Sequence, residues 1–191
     1  MSTNESTADV IEPAWVGDVI QFWFAELTEA HWFARDAELD ARIRDCFLAL
    51  HEQIVLSDGI DAAASRPLLA AVIVLDQFSR NMFRGTPRAF AADPIARRLA
   101  RQAVSRGFDL SMTRDERHFV YLPFEHSEDR EDQALSIHLI GQLGHDEWTR
   151  HALAHRSIID RFGRFPHRNA ILGRTSTPDE LVLLNEPMGS F

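Results

Sequence analysis

The sequence predicts an all-α protein. Apolar residues recur at three- and four-residue spacing along nearly the whole chain, and no run shows strand alternation bounded by hairpin signals. Glycine, proline and capping residues punctuate the periodic stretches at helix-like intervals.

The first helix is expected over residues 14–25, where Val16, Val19, Ile20 and Trp23 fall at helical spacing. A break over 28–35 precedes a long helix over 36–57. Its apolar positions Leu39, Ile43, Phe47, Leu50 and Ile54 are three or four apart, and Gly59 stops it. Pro67 suits the opening turn of a third helix. Residues 68–75 are apolar on all sides, which predicts a central position, and Gly85-Thr86-Pro87 ends that helix. Asp93 and Pro94 introduce a helix over 95–106 closed by Gly107. Thr113 and Glu116 form a capping box for a short helix that Pro123 is expected to end. Ser127 reads as the cap of the next helix, to about Leu143, and Asp146 as the cap of another reaching Phe162; Gly144 and Gly163 stop them. Thr177 and Glu180 make a second capping box, for a short helix ending before Pro187. The count is roughly eight or nine helices, and their short connections favour antiparallel neighbours. Residues 1–13 read as a flexible polar lead and 14–191 as a single helical domain.

Composition narrows the function. The chain has 191 residues, 45% of them hydrophobic and 26% charged, and a net charge of −9. That is enough for a substantial core. The apolar run over 68–75 is too short to span a bilayer. The polar start lacks the basic and apolar parts of a secretory signal, so the expected compartment is the cytoplasm, with no membrane contact. The one cysteine, Cys46, has no intrachain partner and is expected to be a buried structural thiol. All 20 basic residues are arginine. No lysine Schiff base or lysine base is therefore possible, and every cationic side chain is a planar fork suited to carboxylate or phosphate. The overall acidity opposes general nucleic-acid binding.

Three constellations could carry chemistry. In the first, Asp76, Arg80 and Arg84 fall within about 80° of one another on a helix and continue an apolar face. With Asn81 they make either buried ion pairs or a pocket wall. In the second, His126 lies just outside a first turn made by Ser127, Glu128 and Asp129. The acids there suit the helix dipole, while the histidine could act as acid, base or metal ligand. The third is the helix ending at Phe162 and the loop beyond it: Arg161, Arg164, Phe165, His167, Arg168, Asn169 and Arg174, a concentration of cations beside aromatic rings in an acidic protein. His151 and His155 are four apart on that helix, but the glutamate of a zinc-peptidase motif is replaced by Ala152. A histidine on such a face is commonly a core residue bonded to a carbonyl. The arginines could equally hold helix ends and pair with Asp76, Glu128 or Asp160. No lysine-bearing phosphate loop, dinucleotide fingerprint or nucleophile elbow is present, so neither cofactor nor metal is expected.

Taken together these blocks resemble one family, the uncharacterised, mainly bacterial domain of unknown function 924. The resemblance rests on Val19-Ile20-Gln21-Phe22-Trp23-Phe24, Trp32-Phe33, residues 75–85, Arg88-Ala89-Phe90-Ala91, residues 121–129, residues 155–174 with their RFGRFPHRN core, and the ending Gly189-Ser190-Phe191. It runs from about Val16 to the C-terminus. It implies a tetratricopeptide-like fold, a right-handed array of antiparallel helix pairs. The alanine spacing over 89–107 is similar to the second helix of such a pair, although no 34-residue repeat is evident. The resemblance implies no activity. The family pattern usually carries proline where this chain has Ser79, and His151 lies outside it.

Three functions follow. The protein could bind a small anionic molecule or an acidic peptide, with Asp76, Arg80, Asn81, Arg84, Arg161, Arg164, Phe165, His167, Arg168, Asn169 and Arg174 at the site. It could be a hydrolase-like enzyme on a small anionic substrate, with His126 or His155 as acid or base and Glu128 or Asp129 as partner. Or the same groups could form a purely structural ionic network.

Overall fold

The structure is a computed structural model and describes residues 12–61 and 63–186. Among these residues it is helical without strands. Helix α1 (Ala14–Ile20) passes directly into a π-helical turn, Gln21–Glu26. A short α2 (Glu29–Trp32) and the long α3 (Ala37–Leu56) follow. Helix α4 (Ser65–Val72) widens into a second π-helical turn, Ile73–Phe78, before α5 (Ser79–Met82) and α6 (Arg88–Ala91). Then come α7 (Asp93–Ser105), α8 (Arg114–Glu125), α9 (Arg130–Gly141), α10 (Asp146–Phe162) and α11 (Pro178–Leu184). A 3₁₀ turn, Pro166–Arg168, lies between the last two.

The all-apolar stretch is central, as its pattern predicts: every residue from Leu68 to Leu75 is at most 1% exposed. Around it Phe22, Trp23, Phe47, Phe78 and Phe119 interlock, mostly edge to face, with ring centroids 4.7–5.9 Å apart. Each such ring contributes about 2–3 kcal/mol through burial alone. A smaller cluster of Ile158, Ile159, Phe165 and Leu183 anchors the C-terminal loop and α11. Consecutive helices pack on each other from α7 through α10.

Both predicted capping boxes form. Glu116 Oε2 accepts from Thr113 N at 2.8 Å, and Glu180 Oε2 accepts from Thr177 N at 2.7 Å. Asp36 caps α3, and Gly107 and Gly163 follow α7 and α10 with φ of 67° and 70°. Five expectations are corrected. Asp93 does not cap α7 but is its first residue, and its carboxylate accepts from Arg80 instead of the helix backbone. Pro123 does not end α8, which runs on to Glu125; a proline lacks its own N–H and crowds the carbonyl four residues before it, so the strain falls on the preceding turn and the residues after it can stay helical. The cap of α9 is Asp129, whose Oδ1 accepts from Glu131 N and Asp132 N, while the Ser127 hydroxyl is held by Asp132. The cap of α10 is the His145 ring instead of Asp146. Cys46 is exposed, because it lies one residue, about 100°, from Phe47 on the buried face of α3. The lead and the ending fall outside the described residues, apart from Glu12 and Pro13. Among the described residues no helix is long and apolar enough to cross a membrane.

Candidate functional site

Two cavities meet at one wall. The larger, about 720 Å³, is lined by Trp32 and Phe33 at the end of α2, by His118, Leu122 and Glu125 of α8, and by Trp148 and His155 of α10. The smaller, about 330 Å³, is lined by Arg35, Phe90, His167, Arg168 and Ile171. Arg80, Arg84, His126 and His155 line both.

His126 follows the last residue of α8, and Asp76 lies in the π-helical turn that faces it. The His126 Nδ1 is 2.9 Å from each Asp76 carboxylate oxygen. Asp76 is 1% exposed and also accepts from Gln77 at 2.6 Å and lies 3.0 Å from Arg80. Burial alone would raise its carboxyl; Arg80, His126 and Gln77 outweigh burial and hold it at about 2. Burial, then Arg80, lowers the His126 pKa against the pull of Asp76, so a neutral ring is favoured at neutral pH. A neutral ring whose Nδ1 faces a carboxylate carries its proton there and its lone pair on Nε2. That Nε2 makes no hydrogen bond within the described residues.

Next to this pair, Glu125 and His155 are both buried. The His155 Nδ1 lies 2.9 Å from the His151 carbonyl oxygen and 3.0 Å from Glu125 Oε1. A carbonyl only accepts, so Nδ1 carries the hydrogen and Glu125 Oε1 is an acceptor. Burial, then the neighbouring Asp76, pushes the Glu125 carboxyl up to about 8, and burial holds His155 down at about 3. At neutral pH Glu125 is therefore an acid, with its proton on Oε2. Oε2 is buried without a hydrogen-bond partner.

The arginines at the wall are backed by carboxylates. Arg80 donates to both Asp93 oxygens, at 3.1 and 3.2 Å, and to the Asp76 carbonyl. Arg84 grips Asp40 of α3 through two bonds of 2.7 and 2.8 Å, and Asn81 donates to the same Asp40. Arg168 donates to the His126 carbonyl at 2.9 Å and lies 3.7 Å from Asp93; its Nε is buried and unpartnered. Burial, then Arg80, lowers the Arg168 pKa to about 10, and burial, then Arg168, lowers His167 to about 4. Arg35 forms no ion pair within the described residues. Four arginines thus stand against the carboxylates Asp40, Asp76 and Asp93, and no acidic residue lines the smaller cavity.

The larger cavity is aromatic. Trp148 is stacked between His118 and His145, each with its ring centroid 4.0 Å away. Burial holds His118 at about 3.

Other expected residues lie elsewhere. Arg164 binds Glu180 at 2.6 and 2.8 Å and the Thr175 carbonyl. Arg174 binds Glu128 at 2.8 and 3.0 Å, and Glu128 also accepts from Phe165 N. Asn169 is buried against Ser176 and Glu180. Phe165 is fully buried, and Arg161 is exposed over the Phe162 ring. None of these five or Glu128 lines either cavity. The structure thus brings Asp76, Arg80, Asn81, Arg84, His126, His155, His167 and Arg168 together, and with them residues the sequence reading missed: Glu125, Asp93, Asp40, Trp148 and Arg35. Glu125 precedes His126 directly, after the apolar run over residues 119–124, and that run was the only available signal of its burial. Asp76, four residues before Arg80, was readable from spacing, whereas Asp93 and Asp40, the other partners of Arg80 and Arg84, are distant in sequence and left no signal.

Among the described residues no group of three or more His, Cys, Asp or Glu is arranged to hold a metal ion. No curated protein matches the sequence. The structure is similar to that of a protein of unknown function from Agrobacterium tumefaciens, with a TM-score of 0.85 and 40% identity, covering 90% of this chain and 97% of that one. The pattern of the bacterial proteins of unknown function DUF924 matches residues 19–188, and the chain belongs to that family.

Proposed function

We propose that the cleft binds a small organic anion, with its acidic head in the smaller compartment and an aromatic or aliphatic body in the larger. The observation that carries this reading is the shared wall. Arg80, Arg84, His126 and His155 border both cavities, the cationic one has no acidic lining residue, and the aromatic one is large enough for a ring system. The fourth arginine leaves one positive charge uncompensated, and Arg168 Nε is a buried donor awaiting an acceptor. The carboxylate end of an acidic peptide offers the same head group.

The test is calorimetry with phenyl phosphate, inorganic phosphate and phenol. Phenyl phosphate is expected to bind more tightly than either fragment. Binding by none of the three, with an unchanged melting temperature, overturns the reading.

We also read the helices as a tetratricopeptide-like array within one domain starting at residue 14; the successive packing of α7 on α8, α8 on α9 and α9 on α10 supports it. The acidic composition and the single exposed thiol favour the cytoplasm.

A further inference from the structure

We propose that the cleft catalyses proton transfer at a carbon beside a carbonyl: His126 Nε2 is the base, Asp76 the group that orients it, and Glu125 Oε2–H the donor to the carbonyl oxygen. The substrate class is a 2-oxo carboxylate bearing an aromatic or aliphatic body. This rests on the anion-binding reading above, which seats the carboxylate near the arginines.

Three observations support it independently of fold likeness. First, Asp76 occupies His126 Nδ1 from 2.9 Å with both oxygens, which leaves Nε2 as the ring's only open nitrogen at the wall of both cavities. Second, Glu125 is 3% exposed and lines the larger cavity, and its Oε2 has no partner in the protein. An orphaned buried donor has a free-energy cost that a bound oxygen relieves. Third, among the described residues neither cavity is lined by a serine, threonine, tyrosine or cysteine. The Ser127 hydroxyl is committed to Asp132 at 2.7 Å, and Cys46 is exposed on α3 and lines neither cavity. Burial supplies the protonation states this chemistry needs, a neutral imidazole and a neutral carboxylic acid, at neutral pH. An acid kept neutral by apolar surroundings is a known device for holding an enolate oxygen.

The step balances without a cofactor. The C–H bond next to the carbonyl breaks, and its electron pair forms a carbon–carbon double bond as the carbonyl π electrons move to oxygen. The proton goes to His126 Nε2, and Asp76 stabilises the resulting imidazolium. Glu125 donates a hydrogen bond to the enolate oxygen and keeps its proton. Exchange of the His126 Nε2 proton with solvent, followed by delivery of the solvent-derived proton to carbon, completes an isotope exchange; transfer of a proton to the enolate oxygen completes a keto–enol tautomerisation.

Phenylpyruvate is the probe, because it combines the acidic head, the aromatic body and an acidic C–H. Its binding is measured by calorimetry, and deuterium entry at its C3 position in D₂O by NMR, on the same samples. The full-length protein is expected to bind it and to accelerate exchange over the protein-free rate. Loss of the base in His126→Gln is expected to slow exchange about 100-fold or more with binding retained. Glu125→Gln keeps a donor and should retain more exchange than Glu125→Leu. Asp76→Asn should act through His126, shifting the pH profile of exchange. Binding without acceleration by the wild type overturns the proposal and leaves the anion-binding reading intact. Equal exchange by wild type and His126→Gln also overturns it. Failure to bind both phenylpyruvate and phenyl phosphate overturns the anion-binding reading and the proposal with it.

Discussion

The His126 ring turns Nδ1 toward both carboxylate oxygens of Asp76, 2.9 Å from each, across a separation of 50 residues in sequence. The contact joins the C-terminal end of α8 to the π-helical turn after α4 and buries the carboxylate that also neutralises Arg80. Its loss leaves charged and polar partners stranded in the interior. Asp76→Ala is therefore expected to cost about 3–5 kcal/mol in urea denaturation, and Asp76→Asn less, because the amide retains some hydrogen bonds. A cost below about 1 kcal/mol for Asp76→Ala contradicts the burial argument.

Stability should peak near pH 6.5. His118, His155 and His167 have pKa values lowered from 6.5 to about 3, 3 and 4, so their contribution is complete above 6.5 and is lost as pH falls through those folded values. Glu125 is raised from 4.5 to about 8; its contribution is complete below 4.5 and is lost as pH rises to 8. Between 4.5 and 6.5 these histidines, together with His51 and His126 whose pKa values burial also lowers, oppose the one glutamate, so acid destabilises. Between 6.5 and 8 Glu125 acts alone, and alkali destabilises by about 1 kcal/mol per pH unit. Glu125→Gln should remove the alkaline decline and leave the acid limb in place, as melting temperatures across pH 4–9 will show.

Glu128 and Arg174 hold the C-terminal loop by two hydrogen bonds, and Glu128 also fixes the Phe165 backbone. Glu128→Ala is expected to lower the melting temperature by about 2–6 °C. It should leave the affinity for phenyl phosphate within about twofold, since neither residue lines a cavity. A tenfold loss of affinity without unfolding assigns this pair to the binding site.

Cys46 is exposed, so a thiol reagent should label it in the native protein at nearly the rate seen in denaturant. Strong native protection contradicts the placement of α3.

The sequence made the helical architecture legible because periodicity, capping boxes and glycine stops are local signals. The 68–75 stretch, both capping boxes and the stop at Gly163 were readable one residue at a time. Local signals misled where two side chains competed for one role: Ser127 and Asp129 both suit a cap, and only the geometry of Asp132 decides between them. Pro123 marked a helix end two residues early, because a proline strains the turn before it and leaves the residues after it able to stay helical.

The site was half legible. Asp76, Arg80 and His126 stood out by chemistry, but ion pairs form across the fold, so the partners Asp40 and Asp93 could not be read from spacing. The loop arginines looked alike in sequence and divide in space. Arg168 enters the cationic cavity, while Arg164 turns to Glu180 at the start of α11. Glu125 was missed because an acid beside a histidine at a helix end reads as ordinary solvated charge until its burial is known.

The most direct test of the central claim is a crystal structure of the protein with phenyl phosphate. The account predicts phosphate oxygens within hydrogen-bond distance of Arg168 and Arg84, and a phenyl ring against Trp148 and Phe33. Well-ordered crystals with the cleft empty at saturating phenyl phosphate, or with the ligand held by Arg164 and Arg174 outside it, contradict the account.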